Sequence, residues 1–223
     1  AIDASPTKFI AIKKEWVLRF MFTGIIEQVC SILAIEDSSE GRFLVIDGGE
    51  NFTSVKKGDS VAVNGVCLTA VKNQGPHRFQ VSAESLAVTT LGELYSGSRV
   101  NIETAVKAGA PFGGHFVQGH VDARGKIAKL SKINSGFCLR VEFDAQWNRY
   151  LIYKGAIAID GISLTVNRVE KGWAEVHLLP HTFTYTNMHL RKVGESVNLE
   201  FDMMAKYIEN MIGKGQDRDA GLD

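Results

Sequence analysis

The 223-residue chain lacks most of the features that mark specialised classes of protein. Its three cysteines, Cys30, Cys67 and Cys138, form no CxxC pair, so neither a disulfide framework nor a zinc knuckle is expected. Lysine plus arginine and aspartate plus glutamate number 25 each, which leaves no basic surplus for nucleic acid. No apolar run approaches the roughly 20 residues that cross a bilayer. These absences predict a globular protein that resides in a reducing compartment of the cell and binds neither nucleic acid nor membrane.

The first twenty residues stand apart from the rest of the sequence. They contain Asp3 and Glu15, and they lack the basic start, apolar middle and cleavage site of a secretory signal. An upstream start, the remnant of a leader and an artificial addition are alternative origins. We expect the fold itself to begin at Met21.

The main positive feature is an internal repeat, in which three short anchors recur in the same order. Gly24 and Gly65 are 41 residues apart, and their counterparts Gly119 and Gly161 are 42 residues apart. So long a period is atypical of solenoid repeats and predicts two tandem domains. The paired anchors are residues 24–27 with 119–122, residues 65–69 with 161–165, and residues 97–103 with 194–200.

Each copy has the pattern of short β-strands separated by turns. Residues 60–63 and 156–159 favour β-structure and lead into Asn64-Gly65 and Asp160-Gly161, pairs that favour tight turns with positive φ. Residues 137–143 alternate apolar with polar or small side chains, as in a half-buried strand. This pattern predicts a small barrel or sandwich in each copy.

The C-terminal segment follows a helical pattern instead. Met204, Tyr207, Ile208, Met211 and Ile212 form one apolar stripe. A helix of about three turns is too short to be stable alone, so we expect it to pack on the barrels or on another subunit. From residue 213 onward the chain is polar, and we expect this tail to be frayed.

Comparison of the two copies indicates candidate chemical groups. Cys67 and Ser163 place a polar group at the same site of both copies, which favours ligand contact over a role as a buried thiol. Asp202 has no carboxylate counterpart and is either a helix N-cap or a functional group. His120, opposite Ile25, suits proton transfer near neutral pH, with a structural role as the alternative.

The spacing of the histidines gives little support to a metal site. His177 and His181 are four residues apart, but residues 174–179 have a strand pattern, which points alternate side chains to opposite faces. His115 ends the sequence Pro-Phe-Gly-Gly-His, which is either a linker between the copies or a segment whose backbone closely approaches a ligand or a partner. We therefore expect no metal site.

At these anchors the sequence resembles the α-type riboflavin synthase family, in which two lumazine-binding repeats follow one another. The resemblance spans residues 21–212, and the set of motifs is specific although each is modest alone. The motifs are Met-Phe-Thr-Gly-Ile-Ile-Glu at 21–27, Asn-Gly-Val-Cys-Leu-Thr at 64–69, Gly-Gly-His-Phe-Val-Gln-Gly-His-Val-Asp at 113–122, Asp-Gly-Ile-Ser-Leu-Thr-Val at 160–166, Pro-His-Thr at 180–182, Val-Asn-Leu-Glu at 197–200 and Ala-Lys-Tyr at 205–207.

The resemblance implies a mainly β protein of two tandem six-stranded Greek-key β-barrels with a short C-terminal trimerisation helix. It implies dismutation of two molecules of 6,7-dimethyl-8-ribityllumazine, one of which donates a four-carbon unit to the other. The products are riboflavin and 5-amino-6-(ribitylamino)uracil, and no cofactor or metal is required. The expected segments are an N-terminal extension at 1–20, barrels at 21–115 and 116–201, a helix at 202–213 and a polar tail at 214–223.

The family also implies a homotrimer whose active sites lie between the N-barrel of one subunit and the C-barrel of its neighbour. Lumazine synthase is a further expected partner. The expected compartment is the cytoplasm, or an organelle if the N-terminal extension is the remnant of a leader.

Carried over position by position, the family's substrate contacts fall on both copies, and we group them by barrel. The N-barrel set is Gly24, Ile25, Ile26, Cys67, Leu68, Thr69, Gln80, Val81, Ser82, Ala83, Glu84 and Ser85. The C-barrel set is Gly119, His120, Val121, Lys154, Ser163, Leu164, Thr165, His177, Leu178, Leu179, Pro180, His181 and Thr182. Candidate catalytic groups are His120, Cys67, Ser60, Ser163 and Asp202.

Two rival classes remain. A non-catalytic lumazine or flavin carrier, like the optical antenna proteins of luminous bacteria, shares the resemblance but has lost ligand contacts in one barrel, whereas both copies here keep the Gly-x-x-Leu-Thr anchor. A flavin-dependent reductase is disfavoured because no GxGxxG follows a strand. Both comparisons favour the enzyme.

Overall fold

The computed structural model describes residues 21–38, 41–49, 52, 54–71 and 76–219, with the side chains of the last helix described to residue 212. The extension predicted at residues 1–20 and the last four residues of the predicted tail lie outside the described residues.

The first copy folds into a closed antiparallel barrel with the strand order β1-β2-β5-β4-β3-β6. This order confirms the six-stranded barrel that the family resemblance implied. Its strands are β1 (Gln28–Ser38), β2 (Gly41–Asp47), β3 (Ser60–Val63), β4 (Val66–Ala70), β5 (His77–Val81) and β6 (Arg99–Thr104). Helix α1 (Ala83–Val88) and a 3-10 helix (Thr90–Glu93) connect β5 to β6.

The second copy repeats this architecture as a closed barrel with the order β10-β11-β8-β7-β12-β9. Its strands are β7 (Ala123–Ile133), β8 (Gly136–Glu142), β9 (Ala156–Ile159), β10 (Ile162–Glu170), β11 (Trp173–Leu178) and β12 (Ser196–Phe201). Helix α2 (Pro180–Tyr185) and 3-10 helices at Ala145–Tyr150 and Asn187–Leu190 complete it. Each barrel encloses its own apolar core of inward-facing side chains.

The two predicted tight turns form and meet each other at the seam between the barrels. Asn64 and Asp160 have φ values of 46° and 47°, and Gly65 and Gly161 follow with 76° and 80°. A Cβ on Gly65 would lie 2.6 Å from the backbone nitrogen of Gly161, so the two turns pack backbone against backbone. Only glycine permits so close an approach.

Reciprocal contacts across this seam relate the barrels by an approximate two-fold axis. Phe22 and Val117 exchange backbone hydrogen bonds of 2.8 and 3.1 Å. The side-chain amide of Asn101 donates to the carbonyl of Asp160 at 2.9 Å. The equivalent amide of Asn198 donates to the carbonyl of Asn64 at 2.8 Å. Because each barrel satisfies buried groups of the other, the two copies form one unit.

One charged pair breaks the symmetry of the seam. The carboxylate of Asp160 is fully buried and accepts from Arg191 at 2.6 Å. The equivalent positions in the first copy, by the repeat, are Asn64 and Leu94. The second barrel therefore carries a buried ion pair where the first has a neutral amide and an apolar side chain.

The C-terminal helix α3 (Met203–Asp219) starts one residue later and ends six residues further than the predicted 202–213. Residues 214–219 of the predicted polar tail therefore continue the helix. Its apolar stripe is exposed in the single chain, with Met211 at 73% and Tyr207 at 61% accessible. Lys206 holds the helix to the second barrel through an ion pair with Asp122 at 2.6 Å. Along the described part of the chain, no helix has the length and apolar character needed to span a membrane.

Candidate functional site

The recurring Gly-x-x-Leu-Thr anchors form the turns and second strands of two equivalent hairpins. Along β4, Cys67 and Thr69 point away from the barrel, whereas Leu68 is 4% accessible and belongs to the core. Ser163 and Thr165 occupy the same outward positions on β10. The polar partners predicted from the repeat therefore lie on the outer surfaces of the two barrels.

A glycine loop of the first copy packs on the outer surface of the second barrel. The backbone N–H of Ser163 donates to the carbonyl of Gly24 at 2.8 Å. Gly24 has φ +77°, and a Cβ there would lie 2.6 Å from Cβ of Ser163. Ile26 packs against the core of the second barrel. We call the surface formed by Ser163, Thr165 and the Gly24 loop the second face.

The reciprocal loop of the second copy packs on the first barrel. Cys67 N–H donates to the carbonyl of Gly119 at 2.8 Å, and a Cβ on Gly119 would lie 2.6 Å from Cβ of Cys67. Val121 packs against the core of the first barrel. We call the surface formed by Cys67, Thr69 and the Gly119 loop the first face.

This exchange crosses the barrels by which the predicted contacts were grouped. Gly24, Ile25 and Ile26 accompany Ser163 of the second copy, and the loop of Gly119 and His120 accompanies Cys67 of the first. The family resemblance had grouped these residues with their own barrels, and their contact with a ligand stays a prediction. The loops cross because each precedes the first strand of its own barrel at the seam, where the neighbouring hairpin is the nearest surface.

A buried glutamate fixes each crossing loop. Glu103 accepts from the backbone N–H groups of Thr23 and Gly24 at 2.7 and 2.9 Å, and from the hydroxyl of Thr23 at 2.9 Å. Glu200 accepts from the N–H groups of Gln118 and Gly119 at 2.7 and 2.9 Å. Burial raises the pKa of each carboxyl to about 7, against the opposing effect of these hydrogen bonds.

A histidine and a serine form the most closely coupled polar pair of the second face. Nδ1 of His115 lies 2.7 Å from Oγ of Ser163, so one of the two donates to the other. Burial lowers the pKa of His115, and the negative charge of Asp202 partly opposes the shift. A neutral imidazole bonded to a hydroxyl can accept or relay a proton near neutral pH.

The glycines before His115 pack closely on the chain's own backbone, and an approach to a ligand or a partner stays a prediction. A Cβ on Gly114 would lie 2.0 Å from the carbonyl oxygen of Thr23 and 2.9 Å from Cβ of Ser163. The N–H of His115 donates to the same carbonyl at 3.1 Å. The segment is thus packed tightly enough to place the imidazole on the second face.

The first face has different chemistry at equivalent positions. Burial raises the pKa of Cys67, and the nearby hydroxyl of Ser60 only partly offsets this effect. The first face therefore holds a thiol in its neutral form near pH 7. His120 is exposed at the position that Ile25, 50% accessible, occupies on the second face.

The remaining predicted contacts fall into three groups. The side chains of Leu68, Val81, Leu164 and Leu178 are buried in the barrel cores, so only their backbones can meet a ligand on the outer surface. Gln80 and His177 occupy outward positions of β5 and β11. The third group lies at the starts of the helices that follow these strands: Ser82, Ala83, Glu84 and Ser85 at α1, and Leu179, Pro180, His181 and Thr182 at α2.

Two further predicted residues lie at turns. Lys154 lies in the turn before β9 with φ +64°, and its N–H donates to the carbonyl of Val166 at 2.8 Å. Asp202 caps helix α3, since its Oδ1 accepts from the N–H of Met204 at 2.9 Å. The N-cap role of Asp202 is therefore confirmed, and its role as a functional group stays a prediction.

Sequence reasoning missed three residues that shape the two faces: Glu103, Glu200 and His115. The two glutamates recur at the end of the third anchor, and this recurrence was the signal that they act on the repeated unit. His115 has no such counterpart in the repeat.

Among the described residues, one group alone brings three histidine, cysteine or acidic ligand atoms together, and it lies on β8 and β11.

Comparisons with known proteins agree with this architecture. The lumazine-binding-domain family model matches residues 23–105 and again 118–202. The riboflavin synthase of Actinobacillus pleuropneumoniae is 42% identical over 195 residues, which cover 87% of this chain and 91% of that protein. The riboflavin synthase of Mycobacterium bovis is 43% identical over 197 residues, covering 86% of this chain and 98% of that protein.

Among solved structures, LumP complexed with riboflavin has the same fold, with a TM-score of 0.75 and 22% identity, covering 81% of this chain and 99% of LumP. Two reciprocally packed barrels with paired outer faces define a tandem lumazine-binding-domain protein. The high identity over nearly the full length of its relatives makes the relationship specific. The chain belongs to the riboflavin synthase family.

Proposed function

We propose that this protein is a riboflavin synthase that converts two molecules of 6,7-dimethyl-8-ribityllumazine into riboflavin and 5-amino-6-(ribitylamino)uracil. The observation that carries the proposal is the presence of two equivalent faces on one chain. A reaction between two identical substrates requires two similar binding sites, and the repeated hairpins with their crossing loops supply them. Curated relatives that are 42% and 43% identical to this chain carry this name.

The chemistry needs orientation more than a powerful catalyst. The 7-methyl protons of the lumazine are acidic because its ring delocalises the carbanion. Holding two rings in a reactive arrangement can contribute roughly 7–11 kcal/mol, whereas one general base gives about 10²–10⁴-fold. The four-carbon unit leaves one ring and joins the other, and no oxidant or reductant is consumed. No single group is therefore expected to be indispensable.

We assign proton transfer on the second face to His115 together with Ser163. The 2.7 Å contact and the lowered pKa of His115 favour a neutral imidazole that accepts a proton through or beside the hydroxyl. On the first face, Cys67, Ser60 and His120 are the corresponding candidates. The test is single substitution: if both Cys67→Ala and His120→Ala leave turnover unchanged, their assignment is wrong.

The exposed stripe of helix α3 supports assembly into a trimer. Tyr207, Ile208 and Met211 are each more than half accessible in the single chain. Burying such a patch between subunits is favourable, and a trimer would join the first face of one subunit to the second face of its neighbour. Met211→Glu should lower the sedimentation mass to that of one chain, whereas Asn210→Glu, with an exposed polar residue replaced, should leave it unchanged.

A single incubation experiment distinguishes an enzyme from a non-catalytic carrier protein. Mixing the protein with the lumazine should produce riboflavin and the ribitylaminouracil in equal amounts, followed by absorbance and chromatography. A carrier of the kind that LumP represents in its complex with the lumazine would bind the ligand and return it unchanged. The proposal also includes a cytoplasmic location and an association with lumazine synthase. Co-purification of lumazine synthase from a native extract tests the association.

A further inference from the structure

The outer surface of the second barrel carries a cluster of three side chains with potential ligand atoms, of which His177 alone is also a predicted substrate contact. Cys138 lies on β8, and Glu175 and His177 lie on β11. Cys138 and His177 are directly paired across the two strands, and Glu175 is the diagonal neighbour. One ligand atom of each residue lies within 4.8 Å of those of the other two.

We propose that Cys138, Glu175 and His177 form a binding site for one Zn²⁺ ion. A thiolate, an imidazole and a carboxylate are the three ligand types that zinc takes in proteins. Metal–ligand distances of about 2.0–2.3 Å place the ligand atoms of a tetrahedral site roughly 3.3–3.6 Å apart. The side chains need to close by about 1 Å, and water would fill the fourth position.

Neighbouring residues contact Glu175 and His177 and leave one carboxylate oxygen of Glu175 facing His177. Arg140 donates to Oε2 of Glu175 at 3.1 Å, while Oε1 of the same carboxylate lies 3.9 Å from Nε2 of His177. The backbone N–H of His177 donates to Oδ1 of Asn167 at 2.9 Å. The contact of Arg140 with Glu175 is of the outer kind that orients a metal ligand, and the contact of Asn167 fixes only the backbone of His177.

The cluster is not a consequence of the fold. The equivalent positions of the first barrel, by the repeat and the matching register, are Phe43, Arg78 and Gln80. There the guanidinium of Arg78 lies 3.5 Å from the centre of the Phe43 ring, an arrangement that can bind no metal. All three positions therefore carry zinc-binding side chains in the second barrel, and none of the equivalent positions does so in the first barrel.

Charge and accessibility are compatible with an ion. His177 is 45% exposed, Glu175 is 15% exposed, and Cys138 is 3% accessible beneath them. The Cys138 thiol lies within 4.8 Å of the Glu175 carboxylate, and its proton passes to solvent as the sulfur–zinc bond forms. Zn²⁺ with one thiolate, one carboxylate and a neutral imidazole is electrically neutral, so the ion needs no further charge.

Titration with Co²⁺, followed by competition with Zn²⁺, tests the proposal on the full-length protein. We expect one equivalent to bind with a thiolate-to-cobalt charge-transfer absorption, and Zn²⁺ to abolish that absorption. Cys138→Ser should remove the charge-transfer band. His177→Gln, an exposed substitution that should not affect folding, should weaken binding by at least about 10–100-fold, the loss typical of even outer-shell changes.

Two matched variants serve as controls. Cys67→Ser removes the more accessible of the other thiols, and His181→Gln removes the neighbouring histidine of the sequence pair; both should retain the full spectrum. The absence of a thiolate band in the wild-type protein overturns the proposal. A band that persists in Cys138→Ser, or an affinity unchanged in His177→Gln, also overturns it.

Discussion

Replacing Gly24 with alanine tests whether the crossed loops support the two faces. Gly24 has φ +77°, and an added Cβ would lie 2.6 Å from Cβ and 2.7 Å from the nitrogen of Ser163. Gly97 has φ +95°, and no atom lies within 4 Å of the Cβ that alanine would add. The pair Gly24→Ala and Gly97→Ala therefore separates backbone strain from loss of the loop contact.

The expected magnitudes follow from the contacts of each glycine. Alanine in the left-handed region costs about 1–2 kcal/mol, and this is the whole effect expected for Gly97→Ala. At Gly24 the loop must also move by about 1 Å to reach ordinary contact distance. That movement breaks the 2.8 Å bond from Ser163 and weakens the 2.9 Å bond to Glu103. A buried group left unpaired costs about 1–3 kcal/mol, so Gly24→Ala should lose roughly 2–5 kcal/mol in total.

Urea unfolding of both variants measures the difference, and riboflavin formation under native conditions measures its effect on the site. Gly24→Ala should lower both the unfolding midpoint and turnover, whereas Gly97→Ala should lower only the midpoint, by a smaller amount. Equal destabilisation of the two variants, with equal turnover, would refute the reasoning that the Gly24 loop is docked on Ser163.

Four further predictions concern individual side chains and their partners. His115→Gln and Ser163→Ala should each reduce riboflavin formation by no more than about 10²–10⁴-fold, and the double variant should be no slower than the worse single one, since the two act as a unit. In the wild type, the acid limb of the turnover profile assigned to His115 should fall below pH 6.5, its ordinary pKa, because burial lowers that pKa. Arg191→Leu should cost about 3–5 kcal/mol in urea unfolding by leaving the buried Asp160 unpaired, and adding Asp160→Asn should recover most of it. The pKa of Glu103 is raised from 4.5 to about 7, so its contribution to stability is fully present below pH 4.5 and is lost as pH rises to about 7. Glu103→Gln should therefore flatten the plot of thermal-unfolding temperature against pH over this range. An unchanged slope would contradict this prediction.

The sequence predicted the barrels well because each copy carries strong local signals. Asn64-Gly65 and Asp160-Gly161 specify tight turns from dihedral preference alone, and both turns occur where the pattern placed them. Alternating side chains on β8 and β10 assign one face to the core, since a strand has a period of two. Repetition of these signals at nearly equal spacing made two tandem β-rich domains predictable without knowledge of any long-range contact, whereas the choice of a barrel over a sandwich came from the family resemblance.

The arrangement of the site was harder to predict because it depends on contacts between the copies. Gly24 and Ser163 are separated by most of the chain, and no local preference places one on the other. The same limit applies to His115, whose approach to Ser163 follows from the packing of Gly114 on Thr23. The cluster of Cys138, Glu175 and His177 was missed for a similar reason, since its register across β8 and β11 is invisible to spacing along one segment.

The crossing of the loops also changes which differences between the copies are informative. A site built within one barrel would be tuned by that barrel alone, but here each face combines residues of both copies. The second face joins Ser163 to His115 and the Gly24 loop, and the first joins Cys67 to the Gly119 loop with His120. The two lumazines would therefore meet a hydroxyl–imidazole pair on one face and a neutral thiol on the other. Because the deprotonated lumazine is the nucleophilic partner, the face with the neutral, hydrogen-bonded imidazole is the one suited to remove its proton, and the loss of turnover in His115→Gln should be greater than in Cys67→Ser.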